Sequence, residues 1–347
     1  MPNQFPRAPR IAFVALTLLG CGDDTTSSNT SGNSAAADDH NADAAPESGG
    51  RASSRRDAER ADAGPARRDA AIREKDAAQP DKPELSAGEQ AVTLRFRAQV
   101  GDATFACGRV YIDQGSTRKA VTPRDLRLFI QDVALLDDAG GETPIKLDTR
   151  DPWQTSDVAL LDFEDSTGEC LGTPETNREI TGVVPKGKYT ALRFSHGVPE
   201  QLNHADPQTF PAPLKTPGMS WNWLLGLRFV RFEMGTQPAV GVDSDVDGGA
   251  DPGSFSLHVG STGCAGSQNA GTIKCGKPNR SRVELKNFDL DKSEVVLDVS
   301  DLLSGSDLST TVECHSGTPN CEAMFNALGV DYATGKPSSS PSAYRLK

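Results

Sequence analysis

The chain has 347 residues, of which 24% are charged and 36% are hydrophobic, and its formal net charge at pH 7 is −12. This acidity, together with the lack of a basic cluster flanked by aromatic residues in the part expected to fold, excludes nucleic acid as the expected partner. The sequence also lacks a nucleophile elbow, a zinc-protease helix motif, a phosphate-binding loop and a dinucleotide fingerprint, so we expect the protein not to be an enzyme.

Residues 1–21 have the layout of a lipoprotein signal peptide. Two arginines precede an apolar run from Ile11 to Leu19, and Leu-Leu-Gly stands directly before Cys21. The run is too short to span a bilayer as a helix, and the pattern predicts cleavage before Cys21 and lipidation of its thiol. We therefore expect a lipid-anchored protein of the cell envelope, at the outer membrane or facing the periplasm. A secreted protein with an incidental Cys21 is the alternative.

Residues 22–90 are predicted to form a disordered linker. They consist mainly of Ala, Asp, Ser, Gly, Arg and Thr and contain no aromatic residue. Such a segment cannot bury enough apolar surface to offset the entropy lost on ordering. We expect it to act as a tether that holds the folded domain away from the membrane.

The pattern changes at Ala91, where apolar and polar residues begin to alternate with the period of a β-strand. Residues 91–347 are therefore predicted to form a single all-β, sandwich-like domain. Helix is expected only at Glu322–Leu328, ended by Gly329. The expected strands are Val92–Ala98, Asp125–Leu136, Ser156–Phe163, Tyr189–Ser195, Leu227–Met234, Ser254–Val259, Arg282–Phe288 and Glu294–Val299.

Six cysteines remain once Cys21 is assigned to lipidation, and an even number in an exported chain favours three disulfides. Six cysteines allow fifteen pairings. The short intervals Cys264–Cys275 and Cys314–Cys321 look self-closing, which would leave Cys107 to pair with Cys170. A zinc site is the rival interpretation, but no Cys-x-x-Cys spacing supports it.

Three histidines of the folded part are candidate metal ligands: His196, His204 and His258. Neutral imidazole binds Cu, Zn, Fe and Ni, although a structural role is the better expectation for any one of them taken alone. His40 falls in the tether. His315 falls inside the small Cys314–Cys321 loop, where a surface role is expected.

Two further motifs stand out. Met219-Ser220-Trp221-Asn222-Trp223 places two tryptophans on one face of an extended segment, where core packing is the simplest reading. The segment from Asp243 through Asp245 and Asp247 begins like a calcium loop, but the twelfth position is Ser254 rather than Glu. An acidic surface loop is the stronger interpretation, and a calcium site of another type stays open.

The order of motifs over about Val92 to Val330 resembles the MbnP-like family, the methanobactin-associated copper-binding proteins that form half of a "metallo-mystery pair". The motifs that carry the resemblance are Phe-x-Cys at 105–107, Asp125–Ile130, Leu160–Glu164, Thr176-Asn177, Gly197-Val198-Pro199, Leu202-Asn203-His204, Pro213-Leu214, Met219-x-Trp221-x-Trp223 and His258–Cys264.

The resemblance implies a β-sandwich that binds copper and has a dihaem partner related to the bacterial cytochrome c peroxidases, of the MbnH type. It implies that His204 and His258 are copper ligands, and that the partner oxidises Trp221 or Trp223 to kynurenine, with Trp221 favoured. Met219 is then either an axial ligand or a core residue, and the role of His196 stays open. A surface adhesin or glycan-binding sandwich, with tryptophans that stack on sugars, is the alternative function.

Overall fold

The structure is a computed structural model that describes residues 85–347, apart from 223, 238–252, 268–270, 310–311, 317 and 339–340. The expected signal peptide with Cys21 and nearly all of the expected linker lie outside the described residues. The same holds for Trp223 and for the three aspartates of the expected calcium loop, Asp243, Asp245 and Asp247. None of the helices in the described part of the chain is long and apolar enough to cross a membrane.

The described residues form mostly β-structure. The strands, numbered in chain order, are β1 (Glu89–Val100), β2 (Ala103–Thr104), β3 (Tyr111–Gln114), β4 (Lys119–Leu136), β5 (Glu142–Pro144), β6 (Lys146–Leu147), β7 (Ala159–Asp162), β8 (Glu179–Pro185), β9 (Ala191–His196), β10 (Val230–Gln237), β11 (Gly253–Val259), β12 (Thr262–Ala265), β13 (Lys274–Lys277), β14 (Val283–Lys286), β15 (Glu294–Asp298), β16 (Val312–Cys314) and β17 (Tyr344–Leu346). The helices are α1 (Glu200–Asn203), α2 (Val299–Leu303) and α3 (Glu322–Ala327), with 3-10 turns at Pro207–Thr209 and Ala212–Lys215.

Two sheets pack face to face, which confirms the expected sandwich. The first has the order β17-β15-β1-β8-β6, with β2 beside β1; the second has the order β14-β9-β4-β10-β11-β16, with β3, β5 and β7 paired to β4. Strands β12 and β13 form a separate hairpin. Two pairings are parallel, β1 with β15 and β11 with β16.

The core between the sheets follows from the alternation that the sequence shows. On β1, Val92, Leu94 and Phe96 are buried, whereas the residues between them are more exposed. Phe96 meets Phe194 of the second sheet edge-to-face, with ring centroids 5.6 Å apart. Each such aromatic side chain removes a large apolar area from water, so this contact contributes to the cohesion between the sheets.

The expectation that helix occurs only near the last cysteine is wrong. The helix α3 does form there and is followed by Gly329 at a φ of 86°. However, the strand expected over Glu294–Val299 stops at Asp298, whose side chain accepts a hydrogen bond from the backbone N–H of Ser300 and caps α2. An aspartate in this position satisfies a free N–H of the first helical turn, so the chain turns into a helix.

The three disulfides are those that the short intervals predicted: Cys107–Cys170, Cys264–Cys275 and Cys314–Cys321. The first and third belong to the hydrophobic core, where all four of their cysteines are buried. Cys264 and Cys275 are only half-buried and stand directly opposite each other on β12 and β13.

His196 is a fully enclosed core residue at the end of β9. Its Nε2 lies 2.5 Å from the hydroxyl oxygen of Tyr344 on β17, and its Nδ1 has no hydrogen-bond partner among the described residues. Burial disfavours the charged ring and lowers the pKa of His196 to about 3. Burial also raises the pKa of Tyr344, so the pair is neutral at ordinary pH.

We expect His196 to make the domain less stable as the pH falls. The pKa of His196 in the folded protein, about 3, lies below the ordinary value near 6.5. At a pH between these two values, the unfolded chain binds a proton at His196 and the folded chain does not. The contribution of neutral His196 to the free energy of unfolding is fully present above about pH 6.5. It declines by about 1.4 kcal/mol per pH unit as the pH is lowered from there towards pH 3. Urea unfolding at pH 7 and pH 4 measures it.

The matched control is His196→Gln, which does not titrate. Burial raises the pKa of Asp162 to about 8 despite the charge of Arg127. Asp162 therefore makes the folded domain more stable as the pH falls, which is opposite to the effect of His196. Asp162 is present in both the wild type and His196→Gln, so its contribution cancels in the comparison. The free energy of unfolding of the wild type should approach that of the variant, or fall below it, as the pH is lowered. A constant difference between pH 7 and pH 4 contradicts the assignment.

Candidate metal centre

The outer face of the second sheet carries a row of charged side chains. On β10 the even positions of residues 230–234 face the core, so alternation turns Arg231 and Glu233 to the opposite face. Strand register then sets Arg231 opposite His258 of β11 and Glu233 opposite Asp125 of β4. Residues that are distant in the sequence therefore meet on one surface.

Ion pairs join these side chains into a series that ends at His258. Nη2 of Arg127 lies 2.5 Å from Oδ2 of Asp125, and Nε of Arg231 lies 3.1 Å from the same oxygen. Arg231 also donates from Nε to Oε1 of Glu233 over 2.8 Å and from Nη2 to Oε2 over 3.0 Å. Finally, Oε1 of Glu233 lies 2.7 Å from Nε2 of His258.

This series fixes the protonation of Glu233 and the orientation of His258. Burial raises the pKa of Glu233, but hydrogen bonds from His258 and Arg231 outweigh burial and lower the pKa to about 2. The carboxylate is therefore ionised and can only accept, so Nε2 of His258 carries the proton. In the neutral ring this leaves the lone pair on Nδ1, the arrangement in which a carboxylate orients a metal-binding histidine.

His315 lies beside His258 because of the parallel pairing of β16 with β11. Cys314 is the register partner of Leu257, and both are buried in the core. His258 follows Leu257 on β11, and His315 follows directly after the end of β16, so both turn to the outer face. Their ring centroids are 5.6 Å apart. The disulfide to Cys321 holds the loop that carries His315.

The indole of Trp221 completes a group of three rings. Its centroid lies 6.4 Å from that of His258 and 6.2 Å from that of His315, and it meets both edge-to-face. The guanidinium carbon of Arg228 lies over the indole, 4.9 Å from its centroid. Gly260 packs against the indole so closely that a Cβ there would lie 2.4 Å from Cζ3 of Trp221. We call Trp221, His258 and His315 the histidine–tryptophan cluster.

The cluster offers two imidazole rings whose separation can be compared with that of two ligands of one ion. Metal–imidazole bonds are about 2 Å long, so a ring centroid lies about 3 Å from a bound ion. A centroid separation of 5.6 Å is therefore compatible with both rings binding one ion. Nε2 of His315 lies 3.6 Å from Oε2 of Glu313, an exposed carboxylate beyond hydrogen-bonding distance, so of the two rings it is that of His258 that a carboxylate orients. Imidazole nitrogens in this number suit copper, zinc, iron and nickel.

His204, which the resemblance implies as a ligand, faces a disulfide. It is buried at the C-terminal end of α1, with Nε2 3.2 Å from Sγ of Cys275 and 2.9 Å from Nδ2 of Asn203. His204, Cys264 and Cys275 each offer a ligand atom within 4.8 Å of the other two. His204 therefore belongs to a separate group of sulfur and nitrogen atoms, and its role as a ligand of the family site stays a prediction.

The other two candidate ligands lie within the packed interior. His196 pairs with Tyr344 in the core, as described above. Met219 is fully buried in a second apolar cluster, which fills the space between the outer face of the second sheet and the segment after β9. The members of that cluster are Phe129, Val158, Leu160, Val198, Phe210, Leu214, Met219, Leu227 and Phe229.

Sequence reasoning placed His315 on a loop surface and did not single out Glu233. The missed signal for Glu233 was its position on a strand, two residues from Arg231 and on the face opposite the apolar residues. For His315 no local signal existed, because its neighbour His258 is brought in by a strand pairing between distant parts of the chain.

These observations define a disulfide-bonded all-β sandwich with a histidine–tryptophan cluster on the outer face of one sheet. The MbnP family model matches residues 89–317, more than half of the chain, and the chain belongs to that family. Among solved structures it is similar to "MbnP from Methylosinus trichosporium", with 33% identity and a TM-score of 0.63 over 74% of this chain and 98% of that chain. None of the curated proteins matches the chain.

Gly260→Ala should disturb the cluster directly. The new Cβ would lie 2.4 Å from Cζ3 of Trp221 and 2.6 Å from the carbonyl oxygen of Leu227, so the indole must move. We expect a loss of about 1–3 kcal/mol in the free energy of unfolding, which is typical of overpacking, and a changed tryptophan emission spectrum. Gly276→Ala is the control, because the nearest atom to its Cβ is the oxygen of Gly263 at 3.7 Å. Equal effects of the two substitutions would refute the packing described here.

Proposed function

We propose that the protein is an exported, lipid-anchored copper-binding protein that binds copper at the histidine–tryptophan cluster and acts in copper handling. The observation that carries this proposal is the meeting of His258 and His315 beside Trp221, with Glu233 fixed behind His258. Membership of the MbnP family supports copper over the other metals that imidazole binds. His258 and His315 would hold the ion, and copper supplies one-electron redox chemistry when bound.

Each residue around the cluster has a role in this proposal. Glu233 keeps the proton on Nε2 of His258 and so presents Nδ1 to the ion. Arg231 holds Glu233 ionised by two hydrogen bonds. Gly260 gives the indole room to lie against both imidazoles, because any side chain there would occupy its place.

We further propose that Trp221 is oxidised to kynurenine by a dihaem partner in the cell envelope. Trp221 lies at the edge of both imidazoles and is half-buried rather than enclosed, so an external oxidant can approach it. The same position argues against the glycan-binding alternative. A tryptophan that stacks on sugars presents an open ring, whereas the guanidinium of Arg228 covers one face of Trp221 and two imidazoles pack against the same indole.

Removing either imidazole of the cluster should weaken copper binding. We expect His258→Ala and His315→Ala each to lower the affinity of the oxidised full chain by on the order of 100-fold or more, since losing a direct ligand costs at least as much as losing a group behind a ligand. Competition against a chromophoric copper chelator measures the affinity. Unchanged affinity in both variants would rule out the cluster as the site.

Two variants serve as controls for this experiment. Glu313→Gln alters an exposed carboxylate 3.6 Å from His315 and should change the affinity little. His204→Ala separates the two possible ligand sets. If it matches wild type, the ion is bound by the cluster alone; if it loses binding together with His258→Ala, the ligand set implied by the family resemblance is correct.

The proposed oxidation predicts a covalent change in protein isolated from its native host. Intact-mass and peptide-mass analysis should find kynurenine at Trp221, and expression in a host without the dihaem partner should give unmodified tryptophan. Trp153, which lies outside the cluster, is the internal control and should be unmodified in both samples. If both Trp221 and Trp223 were unmodified in the native protein, the oxidation would be disproved and copper binding would be left by itself.

A further inference from the structure

The hairpin of β12 and β13 carries a disulfide that differs from the other two in its surroundings. Cys264 and Cys275 are direct register partners on a two-stranded sheet that belongs to neither layer of the sandwich. Both are half-buried and lie outside the hydrophobic clusters, whereas the cysteines of the other two disulfides lie in the main core. An external thiol therefore reaches this bridge first, because exchange requires access to a sulfur atom.

A histidine nitrogen faces this bridge in a fixed orientation. The backbone N–H of Leu227 donates to Oδ1 of Asn203 over 2.9 Å, so the amide of Asn203 turns its NH₂ group towards His204. That NH₂ group donates to Nε2 of His204, which is consequently the unprotonated nitrogen. The same Nε2 lies 3.2 Å from Sγ of Cys275.

Other contacts hold this arrangement together. Asn203 is 1% exposed. A Cβ on Gly226 would lie 2.7 Å from the side-chain amide of Asn203, so this amide packs closely against the backbone of Gly226. Nζ of Lys274, next to Cys275, lies 2.7 Å from Oε1 of Glu200 at the start of α1. This ion pair links the hairpin to the helix that ends at His204.

We propose that Cys264, Cys275 and His204 form a second metal site, which opens when the disulfide is reduced and takes a soft monovalent ion such as Cu(I). Thiolate sulfur selects Cu(I), and a neutral imidazole nitrogen adds a third ligand. The three ligand atoms already lie within 4.8 Å of one another, so little movement is needed. This site is separate from the histidine–tryptophan cluster and does not depend on copper binding there.

The reaction balances with an external dithiol as reductant. The dithiol gives two electrons and two protons and becomes a disulfide, while the S–S bond between Cys264 and Cys275 breaks to give two thiols. Binding of Cu(I) then releases the two thiol protons and forms bonds from the ion to both Sγ atoms and to Nε2 of His204. The last bond replaces the hydrogen bond from Asn203. Oxidation to the disulfide removes both thiolates and closes the site.

The first test is selective reduction of the full chain. A limiting amount of dithiothreitol followed by alkylation and peptide mapping should label Cys264 and Cys275 before the four buried cysteines. In a second portion of the reduced protein, which is not alkylated, the reductant is removed without air and Cu(I) is titrated against bicinchoninate. We expect the reduced protein to bind one more equivalent than the oxidised protein, and X-ray absorption should show sulfur neighbours around copper.

Variants identify the ligands and distinguish this site from the cluster. The double variant Cys264→Ser, Cys275→Ser should lose the extra equivalent and the sulfur neighbours. His204→Ala should keep sulfur binding with an affinity lower by at least about tenfold. His258→Ala and His315→Ala should keep the extra equivalent whether or not the cluster binds copper.

Four results would overturn the proposal. The first three are earlier labelling of a buried disulfide, equal Cu(I) uptake by reduced and oxidised wild-type protein, and sulfur neighbours that persist in the double variant. The spectrum of the wild-type protein decides the matter even if a variant fails to fold, because copper without sulfur neighbours in the reduced chain also refutes the site.

Discussion

Strand β10 pairs with β4 on one side and with β11 on the other, and this double pairing determines where every charged group of the candidate site lies. The side chains of Phe232 and its apolar neighbours on β10 face the core. Because side chains alternate along a strand, those of Arg231 and Glu233 face the outside of the sheet. A shift of the register by one residue would bury both charges. The hydrophobic core therefore determines which face of β10 carries the charged groups of the candidate site.

The long strands could be predicted from the sequence because each carries its own pattern. Apolar residues alternate along β1 at Val92, Leu94 and Phe96. Strand β4 contains the whole of the strand expected over Asp125–Leu136 and ends at the same residue. Strand β8 was missed because Gly182 interrupts its alternation, and the structure explains that glycine: a Cβ there would lie 2.5 Å from the carbonyl oxygen of Lys146. Short strands such as β16 contain too few residues to show a period at all.

The candidate site was predictable only in part, for the same reason. His258 and Trp221 belong to motifs that carry the family resemblance, so sequence reasoning could select them. His315 stands in a short disulfide loop, and nothing in that loop indicates that Cys314 pairs with Leu257. Only the parallel register, formed between segments more than fifty residues apart, places the two imidazoles together. Distant strand pairing is the information that local patterns lack.

The charged series behind His258 is better explained by orientation than by stability. Burying Asp125 raises its pKa even though Arg127 and Arg231 surround it, which shows that desolvation opposes the ion pairs. Buried ion pairs often contribute little net stability, because the attraction between the charges is offset by lost hydration. What the series does supply is geometry: each member fixes the next, from Arg127 through Asp125 and Arg231 to Glu233. The ring of His258 is consequently held in one tautomer and orientation by the protein itself, which lowers the cost of ordering it for any ligand that it binds.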